Sequence, residues 1–178
     1  ALIQKSADDA PTVARLARAQ ERDLRAWLYS GEATDERTLA SAVRGAAADV
    51  EDAHGVSVDV VTVGDCAFDE RLRPVVAATR EAVTNAAKHA GTGRVDVYVE
   101  VSEAAVDVFV RDRGAGFDPD AVPADRHGLR HSILDRMARH GGTASVRSTP
   151  GEGTEVRLHL PRSAAPSDGP NPDPGGTS

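Results

Sequence analysis

The sequence is short of the features that mark several classes of protein. Cys66 is the single cysteine in 178 residues, which rules out an intramolecular disulfide and a cysteine-cluster metal site and suits a reducing cytosol. No apolar stretch approaches the roughly 18 residues that suggest a membrane span. No segment has the pattern of a secretory signal peptide. We therefore expect a cytoplasmic segment that makes no membrane contact itself.

Basic residues are arranged without clusters. Two lysines stand against nineteen arginines, no basic run is present, and the formal net charge is −7. Proteins that hold nucleic-acid backbones do so with clustered lysine and arginine, so the charge argues against a nucleic-acid partner. The hydrophobic fraction of 40% and the charged fraction of 28% are those of an ordinary globular domain.

Composition and periodicity divide the chain into three regions, 1–33, 34–161 and 162–178. The first contains a predicted helix over 12–29, whose apolar stripe needs a partner to bury it. The last is rich in proline and glycine and almost free of apolar residues, which predicts a disordered tail. Because the chain begins inside a helix-rich region, we expect a fragment whose parent could carry a membrane segment upstream.

The middle region alternates between helical and strand patterns. Capping residues, glycines and period-two valine runs mark the boundaries. The predicted elements are a helix from Thr34-Asp35-Glu36 to Gly55, a strand at 56–61, a helix at 70–90, a hairpin of strands at 95–101 and 106–110, a helix from Gly128 to His140, and strands at 143–148 and 154–160.

Three polar residues share one face of the predicted helix 70–90. Glu81, Asn85 and Lys88 are spaced by four and three. A solvated surface would explain them. Alternatively, Asn85 offers the oxygen donor that Mg²⁺ prefers, Lys88 a charge for a terminal phosphate, and Glu81 a group that orients or deprotonates a nucleophile. His89 fits a helix C-terminal cation or a packing residue better than a phosphate contact.

A second pattern, Asp112-Arg113-Gly114-Ala115-Gly116, stands directly after a predicted strand. A tight turn would explain it. It would also let Asp112 accept a hydrogen bond from the amino group of adenine, while Gly114 and Gly116 allow close approach of the backbone. The pattern is neither a dinucleotide fingerprint nor a Walker loop, since the glycines do not open a helix and no Gly-Lys-Ser/Thr ending follows.

Two further segments complete the candidate site. Gly128-Leu129 opens a predicted helix, whose exposed backbone amides favour an anion. Gly151-Glu152-Gly153-Thr154 is equally well explained as a hairpin turn, and it would allow Thr154 to hydrogen-bond adenine beside Asp112. Taken together, the patterns indicate a site for ATP and Mg²⁺.

The same segments resemble the nucleotide-binding boxes of the GHKL superfamily, the Bergerat-fold ATPases that include gyrase, heat-shock chaperones, mismatch-repair ATPases and sensor histidine kinases. The similar segments are EAVTNAAKHA at 81–90, DRGAG at 112–116, HGLRHSILDRMARHGG at 127–142 and GEGTEV at 151–156. The Lys-His-Ala ending and ARAQERDLRAWLYSGEA at 17–33 resemble histidine kinases of the nitrate/nitrite-sensor type, including members joined to phage-shock-protein-C-like membrane domains.

The resemblance implies a two-layer α/β sandwich with a mixed sheet and a movable lid at about 115–127. Residues 1–33 would be the C-terminal part of a dimerisation hairpin and residues 34–161 the catalytic ATP-binding domain. At the matching positions it implies roles in binding Mg²⁺, phosphates and adenine and in shaping the pocket. These positions are Asn85 for Mg²⁺, Lys88 and His89 for phosphates, Asp112 and Thr154 for adenine, and Gly114, Gly116 and Gly128 for the pocket.

The function implied is that of a two-component sensor histidine kinase, anchored in the membrane and homodimeric in the parent protein. It would pass a phosphoryl group to a response regulator with a helix-turn-helix output domain. Two features depart from the pattern: Arg126 stands where the second glycine box has its first glycine, and no histidine precedes His54 to serve as acceptor. The alternatives are an anti-sigma-factor serine kinase, a non-catalytic ATP-binding scaffold and an ATP-driven clamp.

Overall fold

A computed structural model of the chain describes residues 38–119, 121 and 128–162, together with Ala17 and Gln20. Helices and strands alternate through these residues much as the sequence predicts. The elements are α1 Leu39–His54, β1 Ser57–Val63, α2 Arg73–His89, β2 Arg94–Val101, β3 Ala105–Asp112, α3 Gly128–Arg139, β4 Thr143–Thr149 and β5 Gly153–Pro161.

The strands form one mixed sheet in the order β1-β2-β3-β5-β4. β1 and β2 are parallel, whereas the other neighbouring pairs are antiparallel. A parallel pair needs a crossover connection, and α2 supplies it between β1 and β2. The predicted hairpin is confirmed as β2 and β3, and the predicted sandwich of helices on a mixed sheet is confirmed as well.

Alternation along the strands separates a buried face of the sheet from an open one. The valines of β2 and β3 that point towards the helices are at most 2% exposed, and they pack with apolar residues of the three helices in a single core. Tyr98 and Phe109 pair across the opposite face, where Tyr98 is 36% exposed. This pattern is typical of a sheet covered by helices on one side.

Helix α2 presents its small and apolar side chains to the sheet, as predicted. Thr79, Val83, Ala86 and Ala90 are buried, and Thr79 satisfies its hydroxyl by donating to the carbonyl oxygen of Val75 at 2.8 Å. The opposite face of the helix therefore remains available to solvent and ligands, and it is the face that carries the polar candidate residues.

The start predicted for α1, at Thr34-Asp35-Glu36, is wrong. The N-cap of α1 is Thr38, whose side-chain oxygen accepts a hydrogen bond from the backbone N–H of Ser41 at 3.3 Å. Thr38 also forms an isolated antiparallel bridge with Ala67, so the chain is extended at this position and becomes helical only after it. The capping potential of Thr34-Asp35-Glu36 is local, whereas this bridge is a tertiary contact that periodicity does not reveal.

Several predictions fall on residues that the structure does not describe. The helix at 12–29 lies outside them except for Ala17 and Gln20, which are helical. The proposed lid is described only at 115–119 and 121. Arg126 and the predicted tail beyond 162 therefore lie outside the described residues. Among the described residues, no helix is long and apolar enough to cross a membrane.

Candidate functional site

The exposed face of α2 lines an open depression of about 410 Å³. The structure brings Glu81, Asn85 and Lys88 together there, as their spacing predicts. Arg136 of α3 forms part of the opposite wall. The complete lining is Ala77, Arg80, Glu81, Thr84, Asn85, Lys88 and Arg136.

Positive charge outweighs negative charge around this depression. Arg80, Lys88 and Arg136 contribute three cations and Glu81 a single carboxylate. A concave surface with charge of one sign attracts ligands of the opposite sign, so the depression suits a polyphosphate.

Glu81 is held by α3. Its Oε2 accepts a hydrogen bond from the Ser132 hydroxyl at 3.0 Å and lies 3.4 Å from Nη1 of Arg136. The Glu81 side chain is 22% exposed and that of Arg136 is 32% exposed. The carboxylate is thus screened on one side and open to the depression on the other.

Asp112 lies at the end of β3 and is only 4% exposed. Its Oδ1 accepts backbone hydrogen bonds from Gly114 at 2.9 Å and from Thr154 at 3.3 Å. Within the described part of the chain both of its hydrogen bonds go to Oδ1, which leaves Oδ2 for a ligand. A buried acceptor in a fixed orientation is what recognition of an adenine amino group requires.

The backbone after β3 packs directly on the end of α2. The N–H of Ala115 donates to the carbonyl oxygen of Ala90 at 2.8 Å, and a Cβ atom at Gly114 would collide with the same oxygen. Gly116 has φ +58° and would collide through a Cβ with the carbonyl oxygen of Thr149. Gly114 thus permits the close approach that joins Asp112 to the helix of Asn85, whereas Gly116 permits the same loop to approach the turn between β4 and β5.

Thr154 belongs to a network that the sequence did not reveal. The Ser148 hydroxyl lies 2.9 Å from the Thr154 hydroxyl, 3.0 Å from the Gly153 carbonyl oxygen, and 2.9 Å from the backbone nitrogen of Phe117, which donates to it. Ser148 thereby connects β4 and β5 to the loop after Gly116. Its register opposite Thr154 follows from the pairing of β4 with β5, which is a tertiary property.

The other predicted residues are not gathered into the depression, as far as the described residues define it. His89 is exposed and stands outside the lining, so the packing interpretation of this residue is wrong. Gly128 and Leu129 are the first described residues of α3, and residues 122–127 before them lie outside the described part of the chain.

Ser132 and Arg136, both of which the sequence interpretation missed, carry a signal in their spacing. They lie four residues apart on α3 and therefore share one face. Ile133 and Met137, the next residues along the helix, are buried in the core. A polar pair beside an apolar pair at the same spacing indicates that the two pairs face different parts of the protein. Only the fold shows that the polar pair faces α2.

The donor set fits a Mg²⁺ ion that is held mainly by phosphates. Among the described residues, no group of three or more His, Cys, Asp or Glu side chains could hold a metal. Mg²⁺ keeps several waters and commonly takes one or two protein oxygens besides the oxygens of its substrate. The half-buried amide of Asn85, facing the depression beside Lys88, offers one such oxygen.

The ionisable chemistry of Cys66 is separate from this site. Burial raises the pKa of the Cys66 thiol, and the nearby Arg162 guanidinium opposes that rise. The thiol therefore stays protonated at neutral pH, and we assign it no chemical role.

A family model described as "Histidine kinase-, DNA gyrase B-, and HSP90-like ATPase" matches residues 70–164, more than half of the chain. The chain is also 33% identical over 82 residues to the sensor histidine kinase LiaS of Bacillus subtilis (strain 168), covering 46% of this chain and 22% of that protein. It is 37% identical over 87 residues to an uncharacterized sensor-like histidine kinase of Chloroflexus aurantiacus, covering 46% and 15%. The matched part is thus less than a quarter of each relative.

Solved structures with the same fold include two described as histidine kinases and one described as an ATP-binding domain. The ATP-binding domain of PrrB from Mycobacterium tuberculosis superposes with a TM-score of 0.55 at 26% identity, covering 69% of this chain and 93% of that one. The mycobacterial sensor histidine kinase MprB gives 0.55 at 19% identity, covering 70% and 94%. The histidine kinase domain of a blue-light-activated kinase from Erythrobacter litoralis EL346 gives 0.58 at 18%, covering 90% and 82%.

Proposed function

We propose that this chain, which belongs to the family of histidine kinase-, DNA gyrase B- and HSP90-like ATPases, is the catalytic ATP-binding domain of a sensor histidine kinase. One observation carries the proposal. The buried Asp112 carboxylate is joined, through the contact of Gly114 and Ala115 with Ala90, to the helix that carries Asn85 and Lys88. One rigid unit thus offers a hydrogen-bond acceptor for adenine, from Asp112. It also offers an amide and a cation for the Mg²⁺-bound phosphates, from Asn85 and Lys88.

Adenine and the phosphates of ATP would be bound by different elements of the fold. Oδ2 of Asp112 would accept a hydrogen bond from the adenine amino group, with the Thr154 hydroxyl beside it. Lys88 would contact the terminal phosphate, and the first amides of α3 at Gly128 and Leu129 would face the phosphates as a helix N-terminus favours. His89 would lie at the margin of the phosphate site.

Asn85 would contribute its side-chain oxygen to Mg²⁺ together with the phosphates. When bound, the ion supplies charge neutralisation to the transferring phosphoryl group. The positive charge of Lys88 acts in the same direction.

In the reaction, a ring nitrogen of an acceptor histidine would attack the γ-phosphorus of ATP. The bond from that phosphorus to the β–γ bridging oxygen breaks, and ADP leaves with its electron pair. Glu81 would accept the proton from the other ring nitrogen of the histidine, which keeps the attacking nitrogen nucleophilic. Most of the rate acceleration would come from positioning and charge neutralisation, as in phosphoryl transfer generally.

The rest of the pathway follows from the resemblance to kinases of the nitrate/nitrite-sensor type. The acceptor histidine would lie on a dimerisation hairpin of which residues 1–33 are the final part, in a homodimeric, membrane-anchored parent. The phosphoryl group would pass on to a response regulator with a helix-turn-helix output domain. The relatives named as sensor histidine kinases favour this function over the serine kinase and clamp alternatives.

Nucleotide binding by Asp112→Asn tests the proposal. Asparagine keeps the shape of the side chain and an oxygen for the Gly114 and Thr154 amides, but it replaces Oδ2 by an N–H donor that opposes the adenine amino group. We expect calorimetric titration with a non-hydrolysable ATP analogue and Mg²⁺ to show binding by the wild type and at least about a tenfold loss in the variant, equivalent to roughly 1.4 kcal/mol.

Asp107→Asn serves as the matched control because Asp107 lies on β3 but on the open face, where it contacts Arg157 and His159. It should bind the analogue like the wild type. Equal affinity in wild type and Asp112→Asn would remove Asp112 from the site, and the absence of binding by the wild type would overturn the proposed function.

A further inference from the structure

We infer that Ser132 and Arg136 are positioning residues that hold the Glu81 carboxylate in the orientation needed to accept a proton. The inference rests on the proposed function, because it assigns Glu81 the role of base. It adds that α3, and not α2 alone, sets the geometry of that base.

The contacts of Glu81 define its orientation. Ser132 and Arg136 both meet the same oxygen, Oε2, at 3.0 and 3.4 Å. Within the described residues, Oε1 takes no part in these contacts, so it is the oxygen left for the nucleophile. A free glutamate side chain explores many rotamers, and two donors on one oxygen select those that turn the other oxygen towards the depression.

The two donors are themselves held in place by the core. Ile133 is 2% exposed and Met137 is 0% exposed, so the side of α3 next to the donors is packed against the rest of the domain. Met137 and Ile133 alternate along the helix with the pair that faces α2. A positioning group needs this kind of support, because a loosely held donor would orient nothing.

Lower exposure to solvent also distinguishes the Glu81–Arg136 contact from an ordinary surface ion pair. Arg80 pairs with Asp49 at 3.4 Å with both side chains more than half exposed, and such pairs contribute little. The side chains of Glu81 and Arg136 are 22% and 32% exposed, and a hydroxyl donor completes the contact. Arg136 also lines the depression, so the residue that holds Glu81 belongs to the same candidate site.

A double-mutant cycle with the chain as it stands tests the inference, with water taking the place of the acceptor histidine in ATP hydrolysis. We expect Arg136→Met to lower kcat by about 10- to 100-fold, the size of effect that misplacing a catalytic group produces, with KM changed by less than about twofold. Arg136→Lys should recover part of the loss, and Ser132→Ala should give a smaller decrease. In a Glu81→Gln background, Arg136→Met should lower kcat no further.

Arg139→Met is the matched control, since Arg139 lies on the same helix and bonds to the backbone oxygen of Asp135. It should leave kcat and KM unchanged, and thermal melting confirms that each variant folds. A full additional loss from Arg136→Met in the Glu81→Gln background would mean that Arg136 acts on the phosphates directly and would overturn the positioning role.

A second readout does not depend on turnover. Selective ¹³C labelling of glutamate allows the order of the Glu81 side chain to be measured by relaxation, and we expect Arg136→Met to lower it while Arg139→Met does not. Unchanged order of Glu81 in Arg136→Met contradicts the inference even when hydrolysis is too slow to follow. Wild-type protein that fails to bind the ATP analogue contradicts the proposed function instead, so the two failures are distinguishable.

Discussion

Asp112 illustrates how a single residue acquires its chemistry from its surroundings. The carboxylate is 4% exposed, and Oδ1 is engaged by the backbone of Gly114 and Thr154. An unpaired buried carboxylate would be costly, and the two amides compensate for part of that cost. The same pair of bonds engages Oδ1 and leaves Oδ2 for a ligand, so the interactions that stabilise the residue also fix its orientation.

Gly114→Ala is a prediction at the scale of one residue. The added Cβ would collide with the carbonyl oxygen of Ala90, and backbone cannot yield as a side chain can. We expect the free energy of unfolding to fall by about 1–3 kcal/mol, as for other overpacked sites, and nucleotide affinity to fall with it because the Ala115–Ala90 hydrogen bond is displaced. Urea denaturation and calorimetric titration measure the two effects.

Gly93→Ala provides the control for this substitution. A Cβ at Gly93 would meet no atom within 4 Å, so stability and affinity should remain within about 0.5 kcal/mol of the wild type, as for most surface changes. Equal effects of the two substitutions would show that the contact with Ala90 is not what requires Gly114.

At the scale of elements, the helices are placed by a few polar contacts as well as by the core. Glu51 of α1 is 2% exposed and accepts a hydrogen bond from the backbone of Val58 in β1 at 2.7 Å. The N–H of Ala40 near the start of α1 donates to Asp65 at 3.1 Å. These contacts fix α1 at both ends relative to the chain around β1, which gives α2 a rigid neighbour.

The start of α1 supplies the prediction at this scale. Because Thr38 caps the helix, Thr38→Ala should lower the free energy of unfolding by about 0.5–2 kcal/mol, whereas Thr38→Ser should retain most of the stability. Thr34→Ala should have little effect, although the sequence alone indicates a cap at 34–36. Chemical denaturation of the three variants decides between the two positions, and a larger loss in Thr34→Ala would restore the cap predicted from the sequence.

For the whole molecule, the notable property is a positive depression on an acidic protein. The formal net charge is −7, yet Arg80, Lys88 and Arg136 surround a single carboxylate in the depression. The acidic protein as a whole repels a polyphosphate, but the local positive charge of the depression attracts it. The site also draws on α2, β3, β5 and α3, so a bound ligand would tie separate parts of the domain together.

Ligand binding should therefore raise the stability of the whole domain. At a free concentration of 100 Kd, linkage gives about 2.7 kcal/mol, or roughly 5–10 °C in Tm for a domain of this size. We expect a non-hydrolysable ATP analogue to raise Tm further with Mg²⁺ than with chelator in the wild type. Asn85→Ala should lose that Mg²⁺-dependent increment.

Asn85→Asp is the companion variant, because it keeps an oxygen ligand at the same position and should retain part of the increment. Full retention of the Mg²⁺ effect in Asn85→Ala would remove the residue from the metal site. The melting temperatures without ligand show whether either change affects the fold itself.

The sequence by itself determined the features that arise from local periodicity and local chemistry. Alternating valines in β2 and β3 and the apolar face of α2 specify which side of each element is buried. The spacing of Glu81, Asn85 and Lys88 places them on one face whatever the fold. Asp112 next to its glycines indicates a turn or a nucleotide contact for the same reason.

The tertiary structure alone decided which separate segments meet. Contacts of Glu81 with Ser132 and Arg136 span about fifty residues of chain, and those of Asp112 with Thr154 span 42. The bridge of Thr38 with Ala67 places the start of α1 later in the chain than the sequence predicts. No local pattern encodes such pairings, because they depend on the order of strands in the sheet and on the packing of helices across it. For this protein, residue types and spacing supply the candidate groups, and the fold brings them to within hydrogen-bonding distance.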